Sequence, residues 1–205
     1  FPKNLLIEND SGRAEVLLKG SAVENLSLIL RNGDIIKELR DEVDAYEYDL
    51  TIVGGSAKRN MSHDMIQYIN SSIFVVNNFN KTINYKILLA VDDSPGTKKA
   101  VKYGVRVAQA FGIKVQIITI NEDDKSNEAN KKSSENASKM MRRCGVEAEI
   151  KFEIGKPVDK IIELAGEDHI IIMGASTQSP IAKFFVGSKP LNVMQNSNCP
   201  ILIVK

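Results

Sequence analysis

A glycine-containing segment near the C-terminus holds the residues best suited to bind an anion. An apolar run that includes Met173 ends at Gly174, and nine residues separate Thr177 from the pair Gly187-Ser188. Glycine lets the backbone approach an anion closely, and the N–H groups that open a following helix point toward it. The spacing indicates a phosphate-binding loop. Because glycine and serine are common in turns, this interpretation depends also on the neighbouring sequence.

Asp92 is the second candidate group. It follows an apolar run that closes on Ala90 and Val91, and it opens the sequence Asp-Asp-Ser-Pro-Gly at 92–96. A carboxylate can accept hydrogen bonds from ribose hydroxyls, but Asp and Ser are also favoured at helix N-caps without any ligand. The two roles are compatible, and the sequence leaves both open.

Apolar runs alternate with helical patterns throughout the second part of the chain. Strands are predicted at 86–91, 115–120, 146–154, 169–173 and 201–204, and helices at 97–111, around 137–141, from 157 and around 191–194. This alternation predicts a doubly wound parallel sheet with helices on both faces. Ligands of such sheets bind at the carboxyl ends of the strands, where Asp92 and Gly174 both fall.

The first part of the chain repeats the second in shortened form. Residues 28–39 parallel 152–164, residues 49–56 parallel 169–176, and residues 72–76 parallel 200–204, while 5–11 faintly echo 88–94. The first copy lacks one strand–helix unit and has no second Gly-Ser, so it is expected to have lost the phosphate loop. We therefore predict two units, residues 1–80 and residues 85–205.

Composition excludes several classes of protein. The 205 residues carry a formal net charge of +1, so no global field attracts nucleic acid. No apolar run reaches the length of a membrane span and no signal-peptide pattern opens the chain, which predicts a cytoplasmic protein without direct membrane insertion. No P-loop, zinc-protease or nucleophile-elbow motif occurs, so at most slow ATP hydrolysis is expected. His63 and His169 stand alone, which favours surface or capping roles.

Residues 85–205 resemble a universal stress protein domain. The resemblance rests on Ala-Val-Asp-Asp-Ser at 90–94, the Gly155-Lys-Pro turn, the glycine loop and the closing segment Asn-Cys-Pro-Ile-Leu-Ile-Val at 198–204. It implies a Rossmann-like fold, an open parallel five-stranded sheet with helices on both faces, in tandem with a truncated copy in residues 1–80. It also implies an intramolecular pseudo-dimer in which strand 73–76 meets strand 201–204, and it leaves a homodimer open.

The resemblance further implies a nucleotide site, because some members of the family bind ATP. Its residues would be Ala90, Val91, Asp92, Ile120, Met173, Gly174, Thr177, Gly187, Ser188 and Lys189. Asp92 and the two residues before it would meet adenine and ribose, Ile120 would line the adenine pocket, and the loop glycines with Ser188 would hold phosphates. The implied ligand is ATP, with or without Mg²⁺, and AMP or no nucleotide are the alternatives.

Two departures from the ATP-binding pattern leave competing functions in view. Thr177 stands where that pattern has its second glycine, and Lys189-Pro190 follows Gly-Ser where a small apolar and a hydroxyl residue are usual. The leading prediction is an ATP-binding stress or signalling protein without robust catalysis. The alternative is a nucleotide-free regulatory or interaction module, such as the cytosolic domain of a membrane transporter, which the altered loop, the degenerate first copy and the missing initiator Met motivate. A dedicated ATP-hydrolysing enzyme is the third possibility and lacks an identifiable general base.

Overall fold

A computed structural model describes residues 4–8, 13–17, 32–54, 62–76, 84–123, 127–175 and 188–205. The elements before residue 80 are β1 (Asn4–Glu8), β2 (Arg13–Leu17), α1 (Ile35–Tyr46), β3 (Leu50–Gly54), α2 (Ser62–Tyr68) and β4 (Ser72–Val76). Those after it are β5 (Lys86–Ala90), α3 (Pro95–Phe111), β6 (Val115–Asn121), α4 (Glu128–Arg143), β7 (Ala148–Ile154), α5 (Pro157–Ala165), β8 (His169–Gly174), α6 (Ser188–Asn196) and β9 (Ile201–Val204).

Seven of these strands form one sheet in the order β3-β4-β9-β8-β5-β6-β7. The five strands from β9 to β7 are mutually parallel, as predicted for residues 85–205. The predicted count of five strands is not confirmed, since the sheet has seven: β4 pairs with the outer edge of β9 and brings β3 with it. The β4–β9 contact is antiparallel, whereas β1 and β2 pair with each other in a separate hairpin.

Helices cover both faces of the sheet and create two apolar cores. One core lies between the sheet and helices α1, α2, α5 and α6, and the other lies between the sheet and helices α3 and α4. The central strands are therefore buried on both sides, which explains why β8 and β9 read as continuous apolar runs rather than as alternating ones. The burial patterns agree, since all of β9 and the first five residues of β8 are buried.

Local signals in the sequence set the ends of the helices that frame the sheet. Pro95 occupies the first turn of α3, and Gly112 ends this helix in a left-handed conformation with a φ of 65°. Helix α4 begins inside a very polar stretch because the Asn127 side chain accepts hydrogen bonds from two backbone N–H groups of its first turn. Among the helices that the structure describes, none is long and apolar enough to cross a membrane.

Candidate functional site

The carboxyl ends of β5, β6 and β8 lie side by side and gather most of the candidate residues. Ala90 at the end of β5 is opposite Ile118 of β6, and the N–H of Val91 donates to the carbonyl of Ile118 at 2.9 Å. On the other side of β5, β8 runs parallel and ends at Gly174. Parallel strands that end together leave a crevice at this edge of the sheet, which is the usual ligand position in such folds.

Three of the candidate residues form an apolar surface at this edge. Ala90 and Ile120 are half-buried and Met173 is buried, and all three belong to the core beneath α5 and α6. They therefore face the same side of the sheet. A half-buried apolar surface of this kind can accept the flat face of a base or another planar apolar group.

Asp92 lies just beyond β5, and its carboxylate organises the start of α3. Its Oδ1 accepts hydrogen bonds from the backbone N–H of Ser94 at 3.1 Å, from the Ser94 hydroxyl at 2.5 Å and from the Thr97 hydroxyl at 2.7 Å. The helix-start role that the sequence left open is thus present. The hydrogen bonds found for this side chain among the described residues all use Oδ1, and Asp92 as a whole is exposed to solvent.

Gly174 is required by packing against the start of α3. A Cβ at this position would lie 2.5 Å from the carbonyl carbon of Gly96, far inside van der Waals contact. Gly174 does not have a positive φ, so close approach and not an unusual backbone conformation explains the glycine. The chain therefore brings β8 and the first turn of α3 into direct backbone contact at the candidate site.

The phosphate side of the site lies at the first turn of α6. Ser188 and Lys189 are exposed there, while Thr177 and Gly187 fall outside the described residues. Lys189 Nζ lies 3.6 Å from Oε1 of Glu122, which follows β6, so an ion pair joins the two sides of the crevice. Pro190, the third residue of α6, breaks no intrahelical bond because N–H groups of a first turn have no helical partner.

A buried polar network that the sequence reasoning missed supports the same edge. The Asn130 side chain of α4 accepts from the backbone N–H of Asp93 at 3.0 Å and donates to Asn121 at 3.3 Å. Below it, the Thr119 hydroxyl donates to the carbonyl of Val91 at 3.0 Å. These residues tie α4 to the ends of β5 and β6. The available signal was a set of small polar residues at helical spacing in the polar stretch that leads into the helix predicted around 137–141.

His169 and Cys199 lie at the amino ends of the strands, on the side of the sheet opposite the crevice. His169 is buried, and its Nδ1 lies 3.0 Å from the carbonyl of Ala165 at the end of α5, so a capping role is confirmed and a surface role is wrong. Cys199 is buried beside it, and burial raises the pKa of its thiol. Both cysteines are free, and no group of metal-ligating side chains occurs among the described residues. The His63 side chain lies outside the description.

A second cleft, of about 590 Å³, lies between the first part of the chain and α3. The Tyr103 hydroxyl donates to the carbonyl of Asp49 at 3.1 Å there, and Lys205 lines the cleft. Burial lowers the pKa of Lys205 to about 8, and its Nζ donates to the carbonyls of Ile66 and Ile69 at the end of α2. This lysine therefore acts as a helix C-cap, and the cleft contains none of the predicted nucleotide-site residues.

Residues 84–205 match the family model described as "Universal stress protein family". The chain belongs to the universal stress protein family. Curated relatives include a universal stress protein of Methanocaldococcus jannaschii, 23% identical over 58% of this chain and 81% of its own length. Another is a universal stress protein of Thermus aquaticus, 30% identical over 58% of this chain and 97% of its own length.

Solved structures of the family share the fold. A universal stress protein of Archaeoglobus fulgidus superposes with a TM-score of 0.63 at 19% identity. The match covers 84% of this chain and 66% of that one. A universal stress protein of the same organism, solved in complex with dAMP, gives a TM-score of 0.50 at 23% identity and covers 60% of this chain and 99% of its own. At these identities the likeness establishes the architecture.

Proposed function

We propose that this chain binds one adenine nucleotide, ATP in the first instance, at the carboxyl ends of β5, β6 and β8, and acts as a cytoplasmic stress or signalling protein without robust catalysis. The observation that carries the proposal is the meeting, at one sheet edge, of the apolar surface of Ala90, Ile120 and Met173 with the polar groups of Asp92 and Lys189. An apolar floor with a few converging polar groups is what a nucleotide requires.

Each part of the nucleotide has a matching group. The base would lie on the apolar surface, and the ribose hydroxyls would donate to Oδ2 of Asp92, whose other oxygen already holds α3 in place. The phosphates would lie at the first turn of α6, where unpaired N–H groups and the helix dipole favour negative charge. Lys189 would add a positive charge, and Gly174, Thr177, Gly187 and Ser188 would complete the loop. Mg²⁺ would accompany the phosphates as part of the ligand.

Two further facts support this assignment. A family member of the same fold is described as a dAMP complex, so adenine nucleotides belong to the ligand class of this architecture. The buried thiol of Cys199 and the buried imidazole of His169 lie at the amino ends of the strands, away from the crevice, so neither can serve there as a nucleophile or general base. A binding role therefore fits better than a dedicated hydrolase.

We also propose that the first part of the chain is a degenerate second copy, which makes the molecule an intramolecular pseudo-dimer. In the sequence repeat, Phe74 corresponds to Leu202, and these two residues face each other at the centre of the β4–β9 contact. Ile73 faces Ile203 and Val75 faces Ile201, so the pairing is the one that a two-fold axis through this point would produce. Gly54 next to Val76 likewise repeats Gly174 next to Val204.

The nucleotide proposal is tested by calorimetric titration of nucleotide-free protein with ATP and Mg²⁺. We expect saturable binding near one site per chain, and a loss of about tenfold in affinity for Lys189→Gln, since a charge-assisted contact to a phosphate contributes roughly 1.5–3 kcal/mol when partly shielded from water. Lys114→Gln is the matched control, because Lys114 forms an exposed ion pair with Glu147 at the other edge of the sheet. Equal losses in the two variants, or none in either, would contradict the site.

One observation favours a nucleotide-free interaction module as the second candidate. The two charged groups of the crevice already have partners within the chain, Asp92 in the start of α3 and Lys189 in its ion pair with Glu122. A folded sample that shows no heat with ATP, ADP or AMP in the same titration would favour this function. Binding that weakens specifically in Lys189→Gln would exclude it.

A further inference from the structure

The outer edge of β7 is an open strand whose sequence is complementary to itself. β7 closes one end of the seven-stranded sheet, and no described strand pairs with its outer side. Phe152 and Ile154 are 49% and 53% exposed there, on the face that carries the α3–α4 core. Open strand edges with apolar side chains are templates for pairing with another chain.

The backbone of β7 offers its free hydrogen-bonding groups at the same residues that carry the apolar side chains. Gly155 donates to the carbonyl of Asn121 and Glu147 accepts from the N–H of Val115, so the odd-numbered positions bond toward β6. The N–H and C=O groups of residues 150, 152 and 154 therefore point outward. An incoming antiparallel strand would bond to these three residues and cover their side chains on one face.

Charge disfavours most registers for a second copy of the same strand. The register centred on Ile150 pairs Glu149 with Lys151 but brings Glu147 opposite Glu153. Centred on Phe152, the pairing places Lys151 opposite Glu153 of the second copy, twice by symmetry, and Ile150 opposite Ile154. Moving the centre to Lys151 would place it opposite its own copy and bring Glu149 opposite Glu153. Centring on Glu153 would place two carboxylates opposite each other. Cross-strand pairs of opposite charge stabilise a sheet and like charges destabilise it.

Two features remove the usual obstacles to such pairing. A lysine on an edge strand normally discourages association, but here the charge of Lys151 is balanced, because Lys151 lies 3.0 Å from Glu153 on the same strand. The edge of β9, through which the sequence resemblance implies dimer-like pairing, is occupied by β4 of the same chain. Of the two outer strands of the residues 85–205 unit, β9 and β7, β7 is therefore the one left for another molecule.

We propose that two copies of this chain associate through antiparallel β7–β7 pairing centred on Phe152, which joins two seven-stranded sheets into one. A contact built on one strand edge buries less surface than the interface of a permanent dimer. Association is therefore expected to depend on concentration, with a Kd of about 1–100 µM. The proposal does not depend on the nucleotide site.

Sedimentation equilibrium of the full chain between about 1 and 300 µM tests this inference. We expect a monomer–dimer equilibrium whose Kd rises about tenfold or more in Glu153→Lys, because two like-charged pairs then face each other. The double variant Lys151→Glu/Glu153→Lys restores opposite charges and should recover the original Kd. Glu147→Lys is the matched control, since it reverses an exposed charge outside the paired residues.

Three results would overturn the proposal. One is a monomer over the whole concentration range, another is a dimer that Glu153→Lys leaves unchanged, and the third is a double variant as weak as the single one. Phe152→Asp keeps the test valid if charge reversal disturbs folding, because Phe152 is half exposed and an aspartate there would place two carboxylates at the centre of the contact. A retained dimer in this variant would equally reject β7 as the interface.

Discussion

Replacement of Gly174 by alanine separates a packing requirement from a ligand requirement at the same position. The added Cβ would lie 2.5, 2.8 and 2.9 Å from three backbone atoms of Gly96, whereas ordinary contact begins at 3.4 Å. β8 and the start of α3 must therefore move apart by up to about 0.9 Å. Overpacking of this kind costs about 1–3 kcal/mol, and the lower entropy of the unfolded alanine chain offsets about 0.4–1 kcal/mol. We expect a net loss of about 1–2 kcal/mol in the free energy of unfolding.

The repeat supplies the matched control for this experiment. Gly54 ends β3 as Gly174 ends β8, but among the described residues no atom lies within 4 Å of a Cβ built on Gly54. Gly54→Ala should therefore leave the stability unchanged or raise it slightly. Urea unfolding monitored by circular dichroism, without nucleotide, measures the free energies of unfolding of both variants. In a thermal scan of the same samples, the Tm of Gly174→Ala should fall by about 2–8 °C. Equal stabilities of the two variants would refute the packing argument and leave phosphate approach as the reason for Gly174.

Two further predictions concern groups outside the crevice. Cys199 is buried, and burial raises the pKa of its thiol, so a disulfide reagent should rapidly modify only the half-buried Cys144 in the native protein. Both thiols should react in denaturant, and rapid reaction of both in the native protein would contradict the burial of Cys199. Lys205 has a pKa of about 8 in the folded protein and of 10.5 when unfolded, so between these pH values the folded state binds fewer protons than the unfolded state. The free energy of unfolding should therefore rise with pH across this window, by no more than about 3 kcal/mol. Urea titrations at several pH values measure this rise, and Lys205→Met, which does not titrate, should lack it.

The parallel part of the fold could be predicted from the sequence because its signals are redundant. The central strands of residues 85–205 are buried on both faces and read as apolar runs, whereas the edge strand β7 alternates. Pro95, Gly112 and Pro157 mark helix ends by backbone restrictions that do not depend on the rest of the fold. The seven-stranded sheet was missed as a count because the repeat was counted as a separate unit. The contact between β4 and β9 was expected from the family resemblance alone, because no local pattern in the sequence reports a free strand edge.

The candidate site was predicted in position but not in its supporting contacts. Strand order places Asp92 and Gly174 at one edge, and that follows from alternating strands and helices alone. The ion pair between Lys189 and Glu122 and the Asn130 bridge connect residues far apart in sequence, and neither residue type signals such a partner. The close contact of Gly174 with Gly96 is likewise invisible in sequence, where a glycine after a strand is equally consistent with a turn or an anion site.

The contrast between Gly54 and Gly174 also indicates what the proposed degenerate copy still does. Its strands β3 and β4, which repeat β8 and β9, extend the sheet, and the β4 register on β9 is the one expected for a symmetric pair. In the described part of this copy the packing of the crevice has no counterpart, since the Cβ position of Gly54 meets no described atom where that of Gly174 meets α3. A unit that retains pairing residues but lacks ligand-crevice packing serves as a built-in partner that covers the edge of β9. On this view, one chain carries out the pairing internally and has one nucleotide site rather than two.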